Sequence, residues 1–433
     1  MVGMEVEGFL IDSKGDLSYR SEEILKTAKK DGRTSIHKEI SMAMVEIAAP
    51  PDEKSIGAIS KLLDELDYLC QKCENLGLRV LPLATYPGKY NPKMYSNVRY
   101  DIKKSILGKE KNKIEARICG FHCHSTLPHG IFDSQLRMLK ILAHQKIRDG
   151  LVNSYNFSIA ADPAFTCLMQ SSPFYQAENI GNDSRVIMLR GGHSLENPRG
   201  AYADFEEFGG LPHYKLTTLD IIEIITTRYE KWKSYIKGLG LNIKVLSHYG
   251  SILAFGWGPL RIKQHGTLEN RGMDMNLPSY VAGASAAVKS AIKLLQEETH
   301  AVIPSEVGID KPFRMEEDVI FIPPYNHVKY ALQKLSAYKG LEDDTVYDYC
   351  RSFLSFIEKN TPKDSRVLLS PFRKMLRERK TVSDKIIDFA IKNGWERGTV
   401  LSKKIAREIT LKYSSLLEKD IAQTRKVINK MLN

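Results

Sequence analysis

Gly3-Met4-Glu5-Val6-Glu7-Gly8-Phe9-Leu10-Ile11-Asp12 opens with alternating side chains and reads as a strand over residues 2–12, broken by the turn at Ser13-Lys14-Gly15-Asp16. In an extended chain residues i and i+2 point to the same side, so Glu5 and Glu7 share one face. About 260 residues later, Thr267-Leu268-Glu269-Asn270-Arg271-Gly272-Met273-Asp274 puts Glu269 and Arg271 on one face in the same way. Neighbouring carboxylates repel each other and call for a compensating cation. A divalent metal carrying a phosphate chain supplies that compensation.

A chain of 433 residues can build one large or two medium domains. With 42% hydrophobic and 27% charged residues its composition is that of a water-soluble globular protein. No apolar run approaches the ~20 residues that span a membrane, and no secretory signal precedes the first strand. Cys70, Cys73, Cys119, Cys123, Cys167 and Cys350 suggest no disulfide framework, so a reducing cytoplasm is the expected location. Cys70-Gln71-Lys72-Cys73 has metal-site spacing, but no second pair matches it and structural zinc takes four ligands. Ordinary helix positions are the simpler reading. The net charge is +11, and residues 331–433, with 22 Lys+Arg against 13 Asp+Glu, carry +9 of it. Such a surface can bind nucleic acid, attract small anions or simply be solvated. The solvated surface is the expectation, because no aromatic-plus-basic nucleic-acid motif accompanies it.

Further strands are expected over residues 40–48, ending at Pro50-Pro51, and over 78–84 and 114–127. Helices are expected over 54–76, 133–154, 218–237 and 279–298, with helices only after about residue 340 and a patterned stretch over 399–432. Residues 162–215 are rich in Pro, Gly, Ser and Asn, an irregular stretch of the kind that often carries function. Strands and helices mix without a βαβ repeat, which argues for an α+β fold.

No GxxxxGK[ST] loop and no GxGxxG is present, so a bound nucleotide must be held by metals and cationic side chains. Mg²⁺ is a hard cation that prefers carboxylate oxygens, with phosphate and water completing its shell. Glu46 in Ala43-Met44-Val45-Glu46-Ile47-Ala48 is a lone acid in an apolar strand, and Glu39 lies nearby but beside Lys38, where a solvated role is simpler. His122 and His124 in Gly120-Phe121-His122-Cys123-His124 again share a face. HxH is a metal-ligand spacing but a weak signal, and a zinc site with Cys119 or Cys123 is conceivable, although Cys123 points to the opposite face. Glu269 and Arg271 read either as an ion pair or as a metal ligand beside a phosphate clamp, a task that suits the planar guanidinium.

Taken in order, these segments resemble the carboxylate–amine ligase family that includes the type 2 glutamate–cysteine ligases. Gly3-to-Asp12 resembles that family's opening G-x-E-x-E strand, Ala43-to-Pro51 its second acidic strand, and Gly120-to-Pro128 its G-x-H-x-H strand. Ser171-Ser172-Pro173-Phe174, continuing to Ser184-Arg185, resembles its N-S-P-F…S-R loop; Trp257 to Arg261 and Gly266 to Asp274 resemble its W-D-x-R-P…G-T-x-E-x-R…D segment. The resemblance covers about residues 2–330. It implies a glutamine-synthetase-like α+β fold: a curved antiparallel sheet forming an open half-barrel, helices outside it, a catalytic domain over 1–335 and a basic helical region over 336–433. It also implies ATP and two or three Mg²⁺, with Mn²⁺ as an alternative. Metal ligands would be Glu5, Glu7, Glu46, His122 and Glu269; Arg271, His124 and Arg261 would bind the nucleotide; and Arg271, Glu269 and Arg185 would be catalytic, with Asp274 supporting Arg271. The chain departs from the family pattern at Val6, Ser171 and Gly258, positions expected near the substrates.

The implied reaction joins a small carboxylate to a small amine, as in γ-glutamyl transfer to an amino group, through an acyl phosphate sheltered by the 162–215 segment. A metal-dependent hydrolase using His122 and His124, and a nucleic-acid-binding protein using the basic C-terminal helices, are the alternatives. Neither a membrane nor nucleic acid is expected as a partner, and a homo-oligomer is compatible with the sequence.

Overall fold

The computed structural model describes residues 1–298 and 300–432. The expected first strand, β1 (Val2–Asp12), lies at the centre of a seven-stranded sheet. The other strands are β2 (Ile36–Lys38), β3 (Met44–Asp52), β4 (Leu78–Leu81), β5 (Gly120–Thr126), β6 (Leu260–Lys263) and β7 (Thr267–Asp274). Their order is β6-β7-β5-β1-β3-β2, and β4 pairs the second half of β1. Every pairing is antiparallel. β6 and β2 remain separate edges, so the sheet is open rather than a closed barrel. The architecture is α+β.

Residues opposite one another in antiparallel strands share a face. Met4 pairs with Cys123, Val6 with Phe121, and Leu268 with Ser125, and all six are buried. This is the core face, where full burial of a Phe or Leu side chain stabilises by about 1.5–3 kcal/mol. The helix Ser55–Asn75 packs on β3, Gln145–Met169 on β7, and Pro278–Glu297 on β5 and β1. The last helix, Lys403–Leu432, packs on Ser55–Asn75 and β4, and its apolar residues join the same buried cluster as the sheet.

Several boundaries differ from the sequence expectation. β3 runs through Pro50 and Pro51 to Asp52, because β2 pairs only up to Ile47 and leaves the prolines on an open edge where no amide is required. The expected strand over 114–127 is shorter: Lys109–Glu115 is helical and the strand begins at Gly120. The expected helix over 133–154 begins at Gln145 and continues to Met169 with Pro163 inside it, while Phe132–Asp133 and Met138–Leu139 form a small hairpin. Residues 162–215 are therefore less irregular than expected; they include the end of that helix and the short helix Ser184–Arg190.

Candidate metal and phosphate site

The second face of the sheet collects the charged residues. The register pairs Glu5 with His122, Glu7 with Glu46, Glu269 with His124 and Arg261 with Glu269. His122 stands at the middle. Its Nδ1 is 3.2 Å from Glu5 Oε2 and 3.6 Å from Glu269 Oε1, and its Nε2 is 3.7 Å from Glu7 Oε1. Two groups of potential ligands result, Glu5–His122–Glu269 and Glu7–Glu46–His122, each with its donor atoms within 4.8 Å of one another. All five side chains expected to hold metal therefore converge. His124 joins them from beside the first group, with Nε2 3.3 Å from Glu5 Oε1 and Nδ1 3.2 Å from Thr267 Oγ1.

The cations lie toward one side. Arg261 forms an ion pair with Glu269, Lys263 Nζ is 3.8 Å from the same carboxylate, and Arg271 Nε is 4.0 Å from it. Burial would raise the Glu269 pKa, but Arg261, Lys263 and Arg271 outweigh it and hold the carboxyl well below the usual carboxylate range. Burial likewise opposes ionisation of Glu5, and hydrogen bonds with His122 and His124 overcome it. The second group is covered less, by His122, Arg185 and the Gly120 amide beside Glu7. Burial, then the charges of Glu39, Glu5 and Glu7, pushes Glu46 up to about 10, and burial with Glu39 raises Glu7. Burial lowers the His122 pKa, which favours the neutral imidazole that a metal requires.

These features fit divalent cations. His122 Nε2 is buried without a hydrogen-bond partner, and the neighbouring charges of Glu39, Glu5 and Glu7 disfavour an ionised Glu46. The oxygen-rich donor set suits a hard ion such as Mg²⁺. A thiol-assisted zinc site is not formed: Cys119 and Cys123 belong to neither group, burial keeps both thiols protonated, and Cys123 contacts Ser285 in the core. Cys70 and Cys73 lie on the helix Ser55–Asn75, and neither joins a metal group.

A cleft of about 240 Å³ opens over this face. β7 carries a bulge between Asn270 and Met273, so that Arg271 and Gly272 stand where one residue would otherwise face His122. The bulge presents Arg271 to the cleft, and its Nη1 is buried without a partner. Arg185 donates to the Gly272 and Arg271 carbonyls at 2.9 and 3.1 Å. It passes so close to Gly120 that a side chain there would strike its guanidinium, while the Gly120 amide donates to Glu7 Oε2 at 2.6 Å.

Asp274 does not support Arg271 directly. It is fully buried and accepts from Ser171 N at 2.9 Å and Ser172 Oγ at 2.7 Å. None of the three departures from the family pattern lines the cleft. Val6 is in the core face, and Ser171 is buried with its hydroxyl donated to the Met275 carbonyl. At Gly258 a Cβ would come within 2.6 Å of the Gly210 carbonyl, leaving no room for an acid. Conversely, the cleft contains Lys103, Glu115 and Lys263, which the sequence did not single out, and Glu39, for which a solvated role was expected. Lys263 could have been found, since it shares a strand face with Arg261 by the same i, i+2 rule.

Among solved structures, a Francisella tularensis glutamate–cysteine ligase in complex with AMP matches over 99% of this chain and 92% of its own, with a TM-score of 0.54 and 15% identity. A bifunctional glutathione synthetase from Pasteurella multocida matches over 96% of this chain at a TM-score of 0.54 and 12% identity, and this chain spans only 52% of its length. These likenesses concern the fold. A Methylibium petroleiphilum protein named "Putative glutamate--cysteine ligase 2" is 22% identical over 330 residues, 75% of this chain and 73% of that protein. The sequence model of glutamate-cysteine ligase family 2 matches residues 1–391, and the chain belongs to that family.

Proposed function

We propose that the protein is an ATP- and Mg²⁺-dependent carboxylate–amine ligase that forms an amide through an acyl phosphate, with γ-glutamyl transfer to an amino group as the reaction its family suggests. The observation that carries this reading is the pair of carboxylate–histidine groups sharing His122, set beside Arg261, Lys263 and Arg271. Glu5 and Glu269 would hold one divalent ion and Glu7 and Glu46 another, and His122, whose neutral ring has a single lone pair, would ligate one of the two; Mg²⁺ or Mn²⁺ fits the donors. Bound there, such ions neutralise the phosphate chain and stabilise charge on the transferring group.

The chain's own residues supply the rest. Arg271 Nη1, without a protein partner, donates to the transferring phosphate. Arg261, held by Glu269, and His124, held by Thr267, line the nucleotide side. Arg185 fixes the bulge carbonyls and so sets the direction of Arg271. The substrate carboxylate attacks the γ-phosphate, ADP leaves, and the amine then displaces phosphate to give the amide. The cleft walls shelter the acyl phosphate from water.

Incubation with ATP, Mg²⁺, glutamate and a panel of amines including cysteine should release phosphate in an amine-dependent manner. Glu269→Gln and Arg271→Ala should abolish that turnover. Wild-type phosphate release by both variants would refute the metal and phosphate assignments.

A further inference from the structure

Glu115 enters the cleft from the helix Lys109–Glu115 rather than from the sheet. Its Oε1 accepts from Lys103 Nζ at 2.5 Å and from Tyr202 Oη at 2.6 Å. Lys103 is only 6% exposed, and its Nζ lies 4.4 Å from the centre of the Trp257 ring. One Glu115 oxygen is thus tied twice within a wall of Lys103, Tyr202 and Trp257, and neither of these bonds uses Oε2. Burial would raise the Glu115 pKa, but Lys103 outweighs it and keeps the carboxylate ionised.

The other acids of the cleft are engaged. Glu5, Glu7, Glu46 and Glu269 form the two ligand groups, and Glu39 accepts from the Ile40 amide at 3.0 Å. Glu115 stands outside them, yet close enough to Arg271 to feel its charge. Well-packed apolar side chains would hold such a wall equally well, so stability alone does not explain a buried ion pair there. An acceptor amine reaches the protein as an ammonium ion, which metal ions and phosphate-binding arginines repel. It needs an ionised carboxylate of its own near the reacting phosphate.

We propose that Glu115 Oε2 anchors the ammonium group of the acceptor substrate, with Lys103 and Tyr202 as positioning residues. The proposal rests on the ligase reading above. The test compares two acceptors in the presence of ATP, Mg²⁺ and glutamate: hydroxylamine, neutral at assay pH, which traps an acyl phosphate as a hydroxamate, and the amine panel including L-cysteine. Glu115→Gln, and a double variant combining Lys103→Met with Glu115→Gln that removes both buried charges, are measured against wild type. Both should raise KM for the best panel amine about tenfold or more, the loss of one charge-assisted hydrogen bond, while hydroxamate formation stays near the wild-type rate. An unchanged KM, or a parallel fall with both acceptors in the double variant, overturns the proposal. So does a wild type that forms hydroxamate but uses no panel amine. A wild type that forms no hydroxamate refutes the ligase reading itself.

Discussion

The two ligand groups share His122 but differ in what surrounds them. Glu5–His122–Glu269 is flanked by Arg261, Lys263 and Arg271, and its carboxylates are held ionised. Glu7–Glu46–His122 faces Glu39 instead, and Glu46 is pushed up to about 10 by burial and neighbouring charge. The first group is balanced by the protein itself. In the second, burial and the charges of Glu39, Glu5 and Glu7 favour a proton on Glu46, which a divalent cation would displace, so metal binding there should release a proton.

The largest effect should come from breaking the balanced side. Glu269→Ala leaves Arg261 and Arg271 buried without their partner, and metal-free stability should fall by about 3–5 kcal/mol, read from the denaturant midpoint. Next, Mg²⁺ at about 100 times its dissociation constant should stabilise the wild type by about 2.7 kcal/mol. Thermal melts should show that gain shrinking in Glu46→Gln. The same variant should have the opposite sign without metal. It removes a group that folding must protonate at neutral pH, so metal-free stability should rise, by about 1.4 kcal/mol for each pK unit relieved. The smallest consequence for turnover is expected at Val6. Val6→Ala should loosen the core by about 2 kcal/mol and leave KM for both substrates unchanged, since its side chain lies on the face away from the cleft.

Much of the balanced group was legible because it depends on local alternation. Glu5 and Glu7, His122 and His124, and Glu269 and Arg271 each obey the two-residue repeat of a strand. What could not be read is register, which is set by contacts between distant segments. Nothing local says that Glu5 stands opposite His122, or that the bulge after Asn270 turns Arg271 into the cleft. Glu39 was passed over because Lys38 beside it suggested a solvated pair, whereas the structure places it against Glu46. Glu115 was hidden by reading residues 114–127 as one strand; in a helix its side chain reaches Lys103 twelve residues earlier. The departures at Val6, Ser171 and Gly258 seemed related to substrate because they adjoin motif residues in sequence, but alternation and close backbone packing turn all three away.

The proposed function requires divalent cations on this sheet face in two places that differ in charge balance. The most direct measurement is Mn²⁺ stoichiometry by equilibrium dialysis with a non-hydrolysable ATP analogue. Wild type should bind at least two ions per chain, and Glu46→Gln should lose one while keeping the site at Glu5, His122 and Glu269. A wild type that binds no Mn²⁺, or a Glu46→Gln variant with unchanged stoichiometry and affinity, would contradict it.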